Sequence, residues 1–143
     1  MRRIVTTALA VMTLLVVISP GIAYLYSLSR INRMPVASQL CTIPEVEKSA
    51  LWVQMREEGP LVVEPLNPWN VAMEFVFADS ERRSPGQRVA WYVARAHNAQ
   101  YLSDPNLQWH FAGAALTIWL TRNWSAEELL CRVSEIQKSR VET

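Results

Sequence analysis

Only four glycines occur in the chain, and the first 33 residues hold no acidic side chain. So little glycine suits a helical domain better than a loop-rich one. Two histidines, His97 and His110, and two cysteines, Cys41 and Cys131, are the whole supply of imidazole and thiol groups. Neither histidine sits in an HExxH spacing, and no CxxC pair surrounds them. There is also no GxSxG and no glycine-rich phosphate loop. We therefore expect no metal, no cofactor and no complete catalytic motif. Strand alternation, internal repeats and low-complexity segments are missing as well.

The overall charge of +1 hides an asymmetry. Arg2, Arg3, Arg30 and Arg33 account for four of the fourteen basic residues, leaving ten against thirteen acids, a balance of −3 beyond position 33. A nucleic-acid-binding domain needs a basic face, which this charge does not supply. The N-terminal arginines belong instead to membrane targeting. From Ile4 to Ser29 the chain is uncharged, and a helix crossing the hydrocarbon core needs about 20 apolar residues. Two readings fit residues 1–29. In one it is a retained anchor, with Arg2 and Arg3 inside and Tyr24 and Tyr26 near the outer interface. In the other it is a cleaved signal peptide, with Pro20 breaking the helix and Gly21 and Ala23 preceding the cut. The apolar character running through Tyr24, Leu25 and Tyr26 favours the anchor. Both readings export the rest of the chain.

In an exported domain an even cysteine count permits a persistent disulfide. Cys41 and Cys131 are expected to pair; two separately buried thiols are the alternative. The stretch "SQLC" is a poor lipidation site, because Gln39 and Leu40 stand where small residues belong.

Residues 30–41 read as a linker and 42–143 as an exported helical domain. Thr42 and Glu45 form a capping-box pattern opening a helix that stops at Gly59-Pro60. "LVVEPLNP" is extended, since its prolines forbid a long helix. Asn67 caps a second helix with Pro68 at its first position. A third runs from about Pro85. The fourth, "LQWHFAGAALTIWLTRN", is apolar almost all round and should be the central one, thinned by Ala112, Gly113, Ala114 and Ala115. Ser125 and Glu128 make a second capping box, opening a fifth helix with Leu129, Leu130, Val133 and Ile136 at helical spacing. The expectation is an all-α chain: an N-terminal transmembrane helix, then a compact domain of about five helices.

All six tryptophans lie beyond residue 50, and core packing is the leading account of most. Trp69 and Trp124 fall at helix boundaries and are candidates to line a groove. Arg82, Arg83 and Arg88 cluster around a loop, where solvation is the simplest account. His110, between Trp109 and Phe111, reads as a boundary residue. Glu57 and Glu58 end the first domain helix; a glutamate there, facing a cleft, can serve as a general acid.

The stretch "AALTIWLTRNWSAEELLCRVSEI" resembles the closing segment of the peptidoglycan glycosyltransferase (transglycosylase) domains of penicillin-binding proteins. "LTIWLTRNW" stands where that family has a helix of "a-l-R-l-E" rhythm, and Ser125, Glu127, Glu128, Leu129 and Leu130 where it has "S-K-D-E-I-L". The resemblance covers about twenty residues and rests largely on helix-cap chemistry. It implies a lysozyme-like helical domain behind a membrane anchor. The family's catalytic stretch is missing around Glu57 and Glu58, its lipid-substrate run has no counterpart, and its second glutamate would fall near Ala112 to Ala114. The reading that follows is a non-catalytic protein of the bacterial inner membrane, single-pass, with its domain in the periplasm. It would bind or scaffold in cell-wall synthesis, with the membrane, envelope proteins or glycan as partners and no nucleic acid. The alternatives are an active glycan-strand enzyme using Glu57 or Glu58, and an envelope assembly subunit unrelated to peptidoglycan.

Overall fold

A computed structural model describes residues 2–38, 41–77, 83–102 and 106–141. All regular structure among them is helical: α1 Arg2–Ser29, α2 Glu45–Gln54, α3 Pro68–Phe77, α4 Gln87–Tyr101, α5 Leu107–Asn123 and α6 Ala126–Val141. The all-α expectation holds, with five helices following one that is long and apolar enough to cross a membrane.

Helix α5 is the hub. Its residues from Ala112 to Leu120 are buried apart from the half-buried Trp119, because it separates two apolar clusters. On one side Leu116, Leu120 and Trp124 meet Leu51 and Trp52 of α2, Val89 and Val93 of α4, and Leu129, Leu130 and Val133 of α6. On the other, Ala114 and Ile118 meet Leu66, Val71 and Tyr24. A helix with neighbours on both sides has no face to give to water, hence its nearly continuous apolar sequence. The run of small residues faces α4 at Gly113: a Cβ added there would lie 3.5 Å from Asn98 Nδ2 and 3.7 Å from the Trp91 ring.

Three helix starts follow their sequence signals. Glu128 N donates to Ser125 Oγ at 3.3 Å, while Ser125 N donates to the Glu128 carboxylate at 2.7 Å. Asn70 N donates to Asn67 Oδ1 at 2.8 Å. Asn106 caps α5 by accepting from Trp109 N at 3.0 Å.

Thr42 departs from expectation. Helix α2 begins at Glu45 with Pro44 as N-cap and no side-chain cap bond. The residue before a proline is steered to extended geometry, and Ile43 there is buried in the core, so the anchoring is apolar. The helix also ends before Gly59-Pro60. Arg56 takes a left-handed φ of 60°, and Glu57 N reaches Trp52 O while Arg56 N reaches Val53 O. That paired arrangement closes a helix on its own carbonyls.

The proline-rich stretch is extended, as its composition demands, and its backbone is paid for by side chains of α5. Leu66 N donates to Thr121 Oγ1 at 3.1 Å, and Arg122 Nε donates to Leu66 O at 2.6 Å. The described part of the segment 30–41 does not hang free: Ile31, Met34, Ala37 and Cys41 pack on the larger cluster. Cys41 and Cys131 stand at disulfide distance, with Sγ atoms 2.14 Å and Cα atoms 5.9 Å apart.

Candidate functional site

Helix α1 has two unlike halves. From Arg3 to Ser19 every side chain is exposed, including Ile4, Leu9, Leu14 and Val16, whereas Pro20, Gly21 and Tyr24 are half-buried and Ser27 is buried. The change comes at Pro20, which has no N–H to offer the carbonyl four residues back. Ser19 Oγ takes up that duty, donating to Val16 O at 3.1 Å. One residue on, Val17 O accepts the indole N–H of Trp69 at 2.8 Å. Gly21 lets the ring lie close: a Cβ there would stand 3.4 Å from the Trp69 ring edge. Trp69 thus bridges α3 to α1, a role no local pattern announces.

Below this bridge α1, α3 and α5 enclose a notch of about 80 Å³ lined by Pro20, Tyr24, Val71, Phe111, Ala114 and Ile118, among others. Binding sites for small molecules run to about 300–1,000 Å³ and place several polar groups. A notch this small and apolar accommodates methylene or methyl groups, not a sugar or a nucleotide. Trp69 is 45% exposed, while Trp124 is 7% exposed. The groove reading of Trp124 is therefore corrected. Its extended backbone after α5 turns the ring beneath the α5–α6 corner, where it joins the core.

The carboxylates gather at the start of α4. Glu57 is buried, and its Oε1 accepts from Arg88 N at 2.8 Å. Glu74 accepts from Gln87 Nε2 at 2.6 Å, and Gln87 Oε1 accepts from Ser84 N at 3.1 Å. Arg88 also reaches back to Arg56 O through its guanidinium. Gly86, the N-cap of α4, offers no side chain, so Glu57 caps the helix from a distant part of the chain. A carboxylate there complements the positive end of the helix dipole. Glu58 is exposed. Replacing Glu57 by alanine should cost about 1–2 kcal/mol by stranding a helix-end N–H. Glu57→Gln, which keeps an acceptor, should cost less; equal melting of both variants and the parent in detergent would refute the capping role.

His97 is buried, and its Nε2 lies 2.7 Å from Arg33 O. Burial pushes its pKa below the ordinary 6.5, opposed by that hydrogen bond and aided by the charge of Arg132. The folded state thus binds the proton less readily than the unfolded chain. Stability should be full above about pH 6.5 and fall as pH drops through the window below it. Chemical denaturation at about pH 7.5 and pH 5 should show this loss, and His97→Gln should remove its share. His110 is exposed, edge-on to Trp109 with centroids 5.1 Å apart. Arg83 is exposed and Arg88 is engaged at α4, while Arg82 lies outside the described residues. Among the described residues no group of three or more His, Cys, Asp or Glu is placed to hold a metal.

Compared with known proteins, the chain matches no family model, no curated protein and no solved structure.

Proposed function

We propose that this chain is a membrane-anchored protein of the bacterial envelope, retained by α1, whose helical domain sits against the inner membrane on the periplasmic side and binds or scaffolds. The observation that carries this reading is the division of α1. Its first half exposes an apolar surface that water would disfavour and lipid would accept. Its second half is built into the domain through the Val17–Trp69 bond and the packing of Tyr24. Cleavage after Ala23 would remove Val17, Pro20 and Gly21 and leave the Trp69 indole without its acceptor.

A scaffolding role is supported by what the acidic residues do. Glu57, Glu74 and Glu128 each accept hydrogen bonds that hold helix α4 or α6. Glycosyl transfer needs two carboxyl groups flanking one bond, a task for which a helix-capping carboxylate is poorly suited. The cell-wall setting rests on the resemblance to transglycosylase domains. Of the residues that carry it, Ser125 and Glu128 form a cap and Leu129 and Leu130 fill the core.

Crosslinking in intact envelopes, followed by purification of the full chain, should recover proteins of cell-wall synthesis. Purified protein given lipid-linked disaccharide or peptidoglycan should show no turnover above buffer. Turnover that disappears in Glu57→Gln would overturn the reading in favour of an enzyme.

A further inference from the structure

We infer that α3 is a membrane-embedded foot, its Trp69–Met73–Val76–Phe77 face lying among the acyl chains of the leaflet on the domain's side, next to α1. This rests on the reading of α1 as a membrane anchor. The four residues recur at helical spacing on one stripe, and they are 45%, 55%, 73% and 65% exposed in that order. The buried Val71 lies opposite, within the smaller cluster. The helix carries one charge, Glu74, which is turned to Gln87. Asn70 is exposed at the edge of the stripe, about 20° round from Phe77 and near the start of the helix. A stripe of this kind on a short helix, with its one charge turned to Gln87 and its amide at the stripe's edge, has the character of an interfacial segment.

The depth follows from α1. A span of about 20 residues starting at Ile4, next to Arg3, ends near Ala23. At 1.5 Å per residue, Val17 then lies about 9 Å beneath the domain-side boundary. Trp69 Nε1 is bonded to Val17 O, so the indole at the start of α3 stands at that depth. Interfacial helices bury their apolar faces by about 5–10 Å, and the two depths agree. Trp69, at the start of this face, is bonded to Val17 O within the exposed apolar half of α1, and that adjacency makes lipid the occupant. The notch among α1, α3 and α5, lined also by Pro68 and Ala72, suits the end of an acyl chain.

The test uses the full chain in vesicles of phosphatidylethanolamine and phosphatidylglycerol, with an environment-sensitive thiol probe on Met73→Cys or, separately, Val76→Cys. Leu14→Cys on α1 and Val46→Cys on the exposed side of α2 are the references. Nitroxide-labelled acyl chains should quench the α3 probes about as strongly as the Leu14 probe, and aqueous iodide should spare them; Val46 should show the reverse. Iodide quenching at both α3 positions with lipid quenching at Leu14 would overturn this inference and leave the anchor standing. Protection of the α3 probes from both quenchers would also overturn it, by revealing a protein partner on that face. A Leu14 probe that lipid does not quench would remove the anchor reading and this inference with it.

Discussion

Cys41→Ser combined with Cys131→Ala should lower the unfolding free energy by about 4–5 kcal/mol, the chain-entropy value for a loop of this length. The two cysteines are 90 positions apart, so nearly the whole domain lies inside the loop their bond closes. Without it, the unfolded chain gains conformations that the crosslink forbids. The bond also fastens the segment after α1, whose Met34 and Ala37 lie on the core, to α6. Cys131 is 1% exposed, which is why alanine, not serine, is chosen there: a hydroxyl would bring a polar group into an apolar site. Peptide mapping without reductant should recover the linked pair from the isolated protein. Unchanged denaturation midpoints on reduction, or both thiols found free to alkylate, would remove the crosslink from this account.

Gly86→Ala should destabilise the domain by about 2–4 kcal/mol, combining a left-handed backbone penalty with overpacking. Gly86 has φ of 79°, and an added Cβ would meet Val63 Cγ2 at 2.7 Å and the Val63 backbone at 3.1 Å. Val63 cannot easily retreat, because Glu64 N is bonded to Pro85 O beside it. Gly113→Ala is the control. It has no positive φ, and its added Cβ would make ordinary contacts, so it should melt close to the parent. Equal loss in both variants would show that glycine is needed for helix packing and not for the turn into α4.

The parts of this fold legible in the sequence are those set by a few neighbouring residues. Asn67-Pro68 and Ser125 with Glu128 announce helix starts because cap and donor lie within one turn. The all-round apolarity of α5 announces its central place because nothing else satisfies such a surface. Thr42 and Glu45 show the same spelling as Ser125 and Glu128, yet no cap forms, since Pro44 redirects the backbone and the burial of Ile43 takes over. The candidate site was less legible. Trp69 is 45% exposed, in keeping with a place at a helix start, but its bond to Val17 spans 52 positions. Glu57 was visible as a helix-end acid, while its role as cap for α4 depends on a fold that brings Arg88 to it across 31 positions. Trp124 was misplaced for the same reason, because a boundary residue is buried or exposed according to which helices meet there.

The central claim is that α1 stays with the domain, as part of its packing and as its hold on the membrane. Intact-mass measurement of the chain recovered from salt-washed membranes tests it most directly. We predict a mass that includes α1 through Tyr26, with the protein sedimenting alongside the membranes. A soluble chain beginning at Tyr24 would contradict the account, for it would show a domain that folds and persists without the helix to which Trp69 is bonded.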